Sequence, residues 1–587
     1  MHKLLIIFFL LFCSILIFAR QSSANEISSN ATSQVNLTNN GSGEGDPNIT
    51  VKEGITLLND SQNSIVKGYG SDGIEDADII IESGAKIQGK DNVIMIRMSD
   101  NVTITNSGSI ISVRSKAINM ASAQNTTINN NVGATITSLN NVISGEEING
   151  DSEAVENTSI NNSGTMYSDT ARVINLFSGA ETATIKNNSS GVMYNTNTNE
   201  VIRIGADSTI TNSGTIQNRN SPDNNSILTE GNNNTIILKN KSILVGTIDA
   251  ASTTGNTLKF QHGVGQTYYY KTAGDFALQD LDGNQVVKGS AGSVGQGASE
   301  TLDELLSYKS INLRNFFNRF DKQDNQDAWG ETYISNLKRN AHTSNLALEY
   351  DLTNYGVNLI NRIEKANFVI AFEGGSQNFV KDHKIDYQNI SAGVYLPQKN
   401  NPYLNLDLFI LGGITLKDGE RTILTNTTAS GKLKIESDYE TYEIHTGIKK
   451  NNLSAIPDLG LTVSYSMTPS YDETKYFSWE DKHIGNLSIF FSDDYNLIKN
   501  EDSKLFLGWT LDMRNMIGDK KQDYSINGTS ATYKQHNDLT NEISLLANMG
   551  YEKKFSEKSS ISFSLDAKNT NQYTKSVGAN ISLSSKF

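Results

Sequence analysis

The feature that most constrains the fold is an internal repeat in the N-terminal half of the chain. Each copy has a short alternating strand, a small turn that ends in glycine, and a second strand rich in β-branched residues. The copies are 101–112 (NVTITNSGSIIS), 125–138 (NTTINNNVGATITS), 157–168 (NTSINNSGTMYS), 182–195 (TATIKNNSSGVMYN) and 207–218 (DSTITNSGTIQN). With Gly84 of an earlier copy, the turn glycines follow one another at intervals of 24, 25, 31, 27 and 23 residues. Such a period indicates units that must stack to bury their apolar faces.

A third short strand precedes each pair of strands. The segments in this position are 93–98 (VIMIRM), 117–120 (AINM), 172–177 (RVINLF) and 201–204 (VIRI). Three strands in each repeat predict the coil of a right-handed parallel β-helix, with alternate Ile and Val side chains stacked inside. Each coil should advance the axis by ~4.8 Å, the spacing between neighbouring strands.

Asparagine precedes the turn in four repeats, at Asn106, Asn131, Asn162 and Asn212. One interpretation is a polar ladder that binds a ligand along one edge. The other is a structural stack of amides that satisfies the backbone of the turns, since Asn bonds its own backbone and tolerates left-handed geometry. The turn chemistry favours the structural interpretation.

The repeat region contains few residues that could carry catalysis. His262 is the only histidine between residues 25 and 300, which argues against a Ser-His-Asp triad or a histidine metal site. Only five aromatic residues occur from 25 to 267, so no aromatic platform for a ligand is evident. We predict no catalytic, metal or cofactor residues. A polysaccharide-active β-helix that uses Arg or Lys with paired acids such as Asp76 and Asp78 stays as the alternative.

The N-terminus has the pattern of a secretory signal peptide over residues 1–24. Lys3 is followed by an apolar stretch from Leu4 to Phe18, and small residues lead to a predicted cleavage between Ala24 and Asn25. An uncleaved anchor is the rival interpretation. Cleavage would remove the chain's one cysteine and with it any thiol chemistry. The net charge of -15 argues against nucleic acid as a partner.

The repeat is predicted to cover residues 25–243 and to be followed by a different structure. Residues 244–288 have the pattern of short strands around glycine turns, which predicts a sandwich that caps the last coil. Residues 289–298 are rich in Gly and Ser and predict a linker. A helix should follow over 299–322, where Leu302, Leu305, Leu306, Leu313, Phe316, Phe317 and Phe320 recur at helical spacing. Its other face carries Lys309, Arg314 and Arg319, too much charge for lipid but acceptable in a polar pore.

Residues 326–587 predict a transmembrane β-barrel. About twelve segments alternate apolar and polar residues, as in Leu505, Leu507, Trp509, Leu511 and Met513, which share one face. A soluble sandwich is the alternative. The last strand places Ser576, Gly578, Ile581, Leu583 and Phe587 at offsets that resemble the signal read by the barrel-assembly machinery of the outer membrane.

The whole order of segments resembles the monomeric autotransporter family of type V secretion. The resemblance implies an all-β fold: a β-helical passenger displayed at the cell surface, then a twelve-stranded antiparallel barrel in the outer membrane with the helix through its pore. It also implies that residues 244–288 fold early and seed the passenger. The partners would be outer-membrane lipid, the barrel-assembly machinery and an unknown surface or host-matrix ligand. A surface rod for adhesion is the first functional hypothesis, the enzyme the second, and a simple porin the third.

Three further expectations concern the barrel. The helix cations should meet inward-facing acids, for which alternation offers Asp407, Glu443 and Asp566. The last strand should close against the first, around Trp329 to Ile334, because an open edge in hydrocarbon is costly. Some family members cleave themselves at an Asn-Asn pair in the helix. Here Asn312, Asn315 and Asn318 are not adjacent, so the passenger should stay attached.

Overall fold

The structure is a computed structural model. It describes residues 25–586 except 38–46, 60–64, 69–72, 146–154, 177–179, 221, 241, 264–265, 287–292, 295–297, 322–326, 341–348, 364–365, 380–382, 401–404, 452–456, 520, 527–531 and 537–540. The predicted signal peptide and Phe587 therefore lie outside the described residues.

The N-terminal half is a three-faced parallel β-solenoid of about nine turns. The first face contains Asn25–Ile27, Ile49–Val51, Asp78–Ile81, Thr103–Asn106, Thr127–Asn130, Ser159–Asn162, Thr184–Asn187, Thr209–Asn212, Thr235–Lys239, Thr257–Gln261 and Ala277–Asp280. The second contains Thr56–Asn59, Lys86–Gly89, Ser109–Ser112, Thr135–Ser138, Thr165–Ser168, Val192–Asn195, Thr215–Asn218 and Ile243–Val245. The third contains Val35–Asn36, Val66–Lys67, Ile94–Met95, Ile118–Asn119, Ile143–Gly145, Ile174–Leu176, Ile202–Ile204, Asn225–Thr229, Thr247–Asp249 and Thr272–Ala273.

The solenoid core is a set of aliphatic columns. On the first face, Ile104 pairs with Ile79 in the previous coil and with Ile128 in the next, and all three side chains are fully buried. The residues between them point outward, as the period of two requires. The strand pattern in the repeat therefore predicted both the stacking and its register.

A buried ladder of amides runs beside these columns. The ladder consists of Asn106, Asn130, Asn162, Asn187 and Asn212, and the Nδ2 of each of the first four donates to Oδ1 of the next at 2.8–2.9 Å. The Oδ1 of Asn106 also accepts the backbone N–H of Gly108, so the ladder serves the turns. The structural interpretation is confirmed for Asn106, Asn162 and Asn212. The assignment of Asn131 to the ladder was wrong, because its neighbour Asn130 occupies that position and Asn131 bonds Ser107 at the surface.

The junction predicted as a sandwich continues the solenoid instead. Thr257–Gln261 pairs in parallel with Thr235–Lys239, and Ala277–Asp280 pairs in parallel with Thr257–Gln261. The repeat therefore does not end at residue 243. Its last coils lack the Asn-Ser-Gly turns that mark the others, and they carry larger core residues such as Phe260 and Tyr270. Three further short strands here are Tyr268–Tyr269, Gln285–Val286 and Ser293–Val294.

The C-terminal half is a helix and, within the described residues, twelve long antiparallel strands. The helix, α1, spans Ala298–Asp321. The strands are β1 Ala328–Arg339, β2 Tyr350–Ile363, β3 Ala366–Phe379, β4 His383–Leu396, β5 Asp407–Thr425, β6 Lys432–Lys450, β7 Asp458–Thr468, β8 Lys482–Lys499, β9 Ser503–Gly518, β10 Asn541–Ser556, β11 Ser559–Thr570 and β12 Thr574–Ser585.

Each strand pairs with its neighbour in the chain, and β12 closes the barrel against β1. Trp329 lies opposite Ser584 and Ile334 opposite Ala579, so the predicted closure is confirmed. We call the end that holds Arg339 and the β5–β6 turn the upper end, and the end that holds Ala328 and Ser585 the lower end.

The upper end carries a second, smaller sheet. Its four strands are Tyr471–Asp472, Phe477–Trp479, Lys521–Ile526 and Thr532–His536. They belong to the connections from β7 to β8 and from β9 to β10, so two upper connections fold together. Nothing in the sequence pattern predicted this sheet.

The amide ladder generates a first prediction. Replacing Asn162 by Ala leaves the amide of Asn130 and the Oδ1 of Asn187 without their ladder partners, and should destabilise the solenoid by about 2–4 kcal/mol. Urea unfolding of the full chain in detergent, followed by circular dichroism, measures the change. Asn161→Ala, on the outer face beside it, is the control and should cost less than about 1 kcal/mol. Equal losses for the two variants would contradict the structural role of the ladder.

Candidate functional site: the barrel lumen and its helix

Helix α1 fills the middle of the barrel. From Glu304 to Phe320 its side chains are buried except for the half-buried Asn312, Asn315, Asn318 and Arg319, and Phe316 has no exposed surface. A helix of this length spans ~36 Å, comparable to a bilayer core. The helix is therefore an internal part of the barrel rather than an external linker.

One face of the helix packs on an apolar wall inside the barrel. Phe316 stacks on Trp329 at 4.9 Å between ring centroids, and Phe317 lies 4.7 Å from both Tyr395 and Phe409. The same cluster includes Leu313, Phe320, Ile360, Val369, Ala371 and Leu411. These wall residues come from β1 to β5, so the helix leans on that side of the lumen.

An apolar wall inside the lumen departs from the apolar-out, polar-in pattern that predicted the barrel. In β5, Leu408, Phe409, Ile410 and Leu411 are all apolar, so this strand is apolar on its outer face and on its buried inner face. This run of apolar residues is the signal that could have identified the wall. Because the outward residues alone satisfy the barrel pattern, the expectation of a polar inner face was wrong for this strand.

The other helix faces carry charges that pair with the wall. The Lys309 Nζ lies 2.7 Å from a carboxylate oxygen of Glu443 on β6, and Arg314 lies 2.9 Å from Asp512 on β9. The Arg319 guanidinium donates twice to Glu331 on β1, each at 2.6 Å, and lies 3.8 Å from Asp566 on β11. All three predicted helix cations have acidic partners.

The partners were predicted only in part. Glu443 and Asp566 are among the proposed acids, whereas Asp512 and Glu331 were not proposed. Asp407 was the wrong choice, because it lies at the lower end and pairs with Lys449, 3.5 Å away. Alternation indicates which residues face the lumen, but not which of them reaches a given point on the helix.

Four charged positions of the helix are spaced by five residues. Glu304, at the top, pairs with Arg339 of β1 at 2.7 Å, and the series continues through Lys309, Arg314 and Arg319. A step of five residues turns an α-helix by about 140° and raises it by about 7.5 Å. The contacts therefore fall on β1, β6, β9 and again β1, and hold the helix from several sides of the barrel.

The helix leaves little open space at its own level. Near the β12–β1 seam, a cavity of about 40 Å³ lies between Asn312, Arg319, Tyr333 and Asp566. A larger cavity of about 530 Å³ opens at the lower end, beyond Arg319 and Asp321. The lumen is thus wide at its lower mouth and closed around the helix.

The predicted assembly signal lies along the outer and inner faces of β12. Ile581 and Leu583 point outward with 46% and 59% of their surface exposed, and Ser576 borders the cavity at the seam. A Cβ on Gly578 would lie 3.1 Å from that of Ser335, so glycine permits close approach of β1. Of the predicted cleavage pair, Ala24 lies outside the described residues and Asn25 begins the first solenoid strand.

Neither a metal site nor a membrane-spanning helix occurs among the described residues. No group of three His, Cys, Asp or Glu side chains in them could hold a metal ion. None of their helices is long and apolar enough to cross a bilayer.

Comparison with solved structures finds similar barrels. The translocator domain of autotransporter NalP from Neisseria meningitidis is 10% identical, covering 49% of this chain and 98% of that chain with a TM-score of 0.36. The transport unit of autotransporter AIDA-I from Escherichia coli is 9% identical, covering 45% and 92% with a TM-score of 0.31. The Ralstonia pickettii toluene transporter TbuX is 8% identical, covering 46% and 91% with a TM-score of 0.28.

No protein-family model matches the sequence, and no curated protein matches it. At identities and TM-scores this low, only the geometry of this chain bears on its function.

The ion pairs around the helix generate a second prediction. Reversing Arg314 and Arg319 to Glu places like charges against Asp512 and Glu331 in a buried lumen, which should loosen the helix. The conductance of single barrels in planar bilayers should rise. Lys338→Glu, on the outer face of β1, is the matched control and should conduct like the unaltered protein. Unchanged conductance in the double variant would mean that these pairs do not hold the helix.

Proposed function

We propose that this chain is an outer-membrane autotransporter that displays its own solenoid at the cell surface. The observation that carries the proposal is the path of the chain: the solenoid leads into a helix that runs down the lumen of a closed barrel. The end of the helix lies at the lower mouth, where β1 begins and β12 ends. A chain threaded in this way has its solenoid on the upper side and both barrel termini on the lower side.

The outer surface of the barrel supports a lipid setting. Large apolar side chains on successive strands point outward and are 42–59% exposed, among them Tyr355, Phe372, Leu507, Met549, Leu565 and Leu583. Soluble proteins rarely expose contiguous apolar surface of this extent, because water contact with it is costly. Closure of β12 on β1 pairs the backbone N–H and C=O groups of both edge strands, as a lipid setting requires.

Folding of the solenoid would supply the energy for display. No Walker-type nucleotide loop occurs in the sequence, so the proposed driving force is folding rather than ATP. Each coil that forms outside buries Ile and Val side chains at ~25 cal/mol per Å² of apolar surface. A folded coil is too wide to return through the lumen, so each step would hinder backward movement.

For the solenoid itself we propose adhesion or another surface interaction. Its first face presents one hydroxyl side chain in each of seven successive coils, a regular polar column: Thr103, Thr127, Ser159, Thr184, Thr209, Thr235 and Thr257. The half-buried aromatic pair Tyr167 and Tyr194 is stacked at 4.6 Å, and Arg219 covers Tyr194 at 3.3 Å. These rings are covered by protein groups rather than open to a sugar.

The alternative function is a polysaccharide-active enzyme on the same barrel. Binding and hydrolysis screens on whole cells distinguish the two, with matrix proteins and glycans as probes. Cells that carry a solenoid-deleted chain are the control. Saturable binding without product would support adhesion, and release of oligosaccharide would support the enzyme. The porin hypothesis is the least favoured, because the helix occupies the lumen.

Recognition of β12 by the barrel-assembly machinery generates a third prediction. Deleting Phe587, or replacing Ile581 and Leu583 by Asp, should leave the chain in the periplasm, because the signal or the lipid-facing surface is lost. Surface labelling of the solenoid and heat-modifiable gel mobility of the barrel measure the outcome.

The matched control changes the inner face of the same strand. Ser582 and Ser584 bond Ser562 and Ser560 of the neighbouring strand β11, each at 2.6 Å, and Thr keeps a hydroxyl at both positions. Ser582→Thr with Ser584→Thr should therefore reach the surface. If the Phe587 deletion also arrived at normal levels, the terminal-signal hypothesis would be wrong.

A fourth prediction concerns processing. The helix has no Asn-Asn pair, so we expect no self-cleavage in the lumen, although a surface protease can still act on residues 289–297. Immunoblots of outer membranes should show one band near the length of residues 25–587. A separate barrel fragment that begins inside α1 would refute this expectation.

A further inference from the structure

The last coils of the solenoid sit directly on the upper part of the barrel. The contact surface is the upper turn of β5 and β6, residues 419–437, which we call the docking hairpin. The solenoid strand Tyr268–Tyr269 pairs in parallel with Leu424 and Thr425 of this hairpin. A covalent connection through 281–297 and α1 is thus not the only link between the two halves.

Backbone hydrogen bonds extend the contact over two coils. The N–H of Leu424 donates to the carbonyl of Thr267 at 3.0 Å, and the N–H of Gly246 donates to the carbonyl of Asn426 at 2.8 Å. Farther out on the hairpin, the carbonyl of Ala429 accepts the side-chain amide of Gln217 at 2.9 Å. The hairpin therefore follows the solenoid as another strand would.

The side chain of Asn426 joins two solenoid segments. Its Nδ2 donates to the carbonyls of Gly246 at 3.0 Å and Lys271 at 2.8 Å, and its Oδ1 accepts the N–H of Lys271 at 2.7 Å. The residue is 1% exposed. In the middle of a solenoid, the next coil would bond these backbone groups. Here the side chain of Asn426 satisfies three of them instead.

Apolar contacts cross the boundary in both directions. Leu424 of the hairpin belongs to the solenoid core, beside Tyr268 and Tyr270. In return, Tyr269 of the solenoid lies in a core of the upper barrel, with Ile423, Ile435, Phe477, Trp479, Tyr524 and Ile526. Its ring stacks on that of Tyr476 at 3.7 Å. Each half fills a gap in the core of the other.

We propose that the docking hairpin is a non-covalent holding surface for the last solenoid coils, so that the solenoid stays on the barrel when the chain between them is cut. The proposal rests on the function proposed above, since it concerns a solenoid displayed beside its barrel. The surface would retain a passenger nicked by a protease instead of releasing it. The short pairing of Gln285–Val286 with Ser293–Val294 also spans such a cut.

The test cuts the full-length protein on cells. Residues 287–292 are replaced by the recognition sequence of a site-specific protease, and the solenoid is followed in the cell and medium fractions after cleavage. The cut solenoid of the otherwise unaltered chain should stay with the cells. Asn426→Asp with Tyr476→Ala should release it at least about tenfold faster, since contact losses act mainly on dissociation.

Both substitutions lie on the barrel side, so the solenoid sequence is unchanged. Thr428→Ala is the matched control in the same turn, because its hydroxyl bonds only within the hairpin, to Ser430 and to the carbonyl of Lys432. It should retain the cut solenoid. If the double variant does not reach the surface, the single variant Asn426→Asp is compared with the unaltered chain in the same way. It replaces only the side-chain NH2 group by oxygen.

Two outcomes would overturn the proposal: release of the cut solenoid from the unaltered chain, or equal retention by the unaltered chain and the variants. Failure of the proposed function is distinguishable, because it would appear before the cut. In that case the uncut chain would lack surface labelling of the solenoid or a heat-modifiable barrel.

Discussion

Closure of β12 on β1 is the interaction on which the rest of the structure depends. Twelve residue pairs join the two strands, from Ala328 with Ser585 to Arg339 with Thr574. A sheet that exposes apolar side chains all around its outside cannot also leave an edge of unpaired backbone groups, each of which would cost several kcal/mol in hydrocarbon. Closure also creates the lumen, and with it the surface that receives the helix.

The helix and the lumen are matched in two different ways. The apolar wall of β1 to β5 takes up the phenylalanines, and this contact sets the side on which the helix lies. The ion pairs on β1, β6 and β9 set its height and rotation, since each is buried and a shift would leave charges unpaired. Apolar packing alone would permit sliding. The charges make one position of the helix favourable.

The two halves of the chain also complete each other at the upper end. A solenoid needs a cap over its last coil, because the core would otherwise be open to water. We expected residues 244–288 to form that cap as a separate sandwich. Those residues build more coils, and Leu424 of the barrel adds to the end of the core. Capping and attachment are therefore served by the same contact.

Repetition and alternation in the sequence determined the architecture. The spacing of Gly84, Gly108 and their successors predicted stacked coils, and period-two alternation predicted the outward faces of the barrel strands, because both patterns follow from local backbone geometry. Three things were decided only by tertiary structure: the acids that meet Arg314 and Arg319, the apolar lumen wall, and the contact of Asn426 with the last coils. The stagger of a closed barrel, which no local pattern records, sets which acids and which wall residues meet the helix. The contact of Asn426 with Gly246 and Lys271 joins residues 180 and 155 positions apart, beyond the reach of any local pattern.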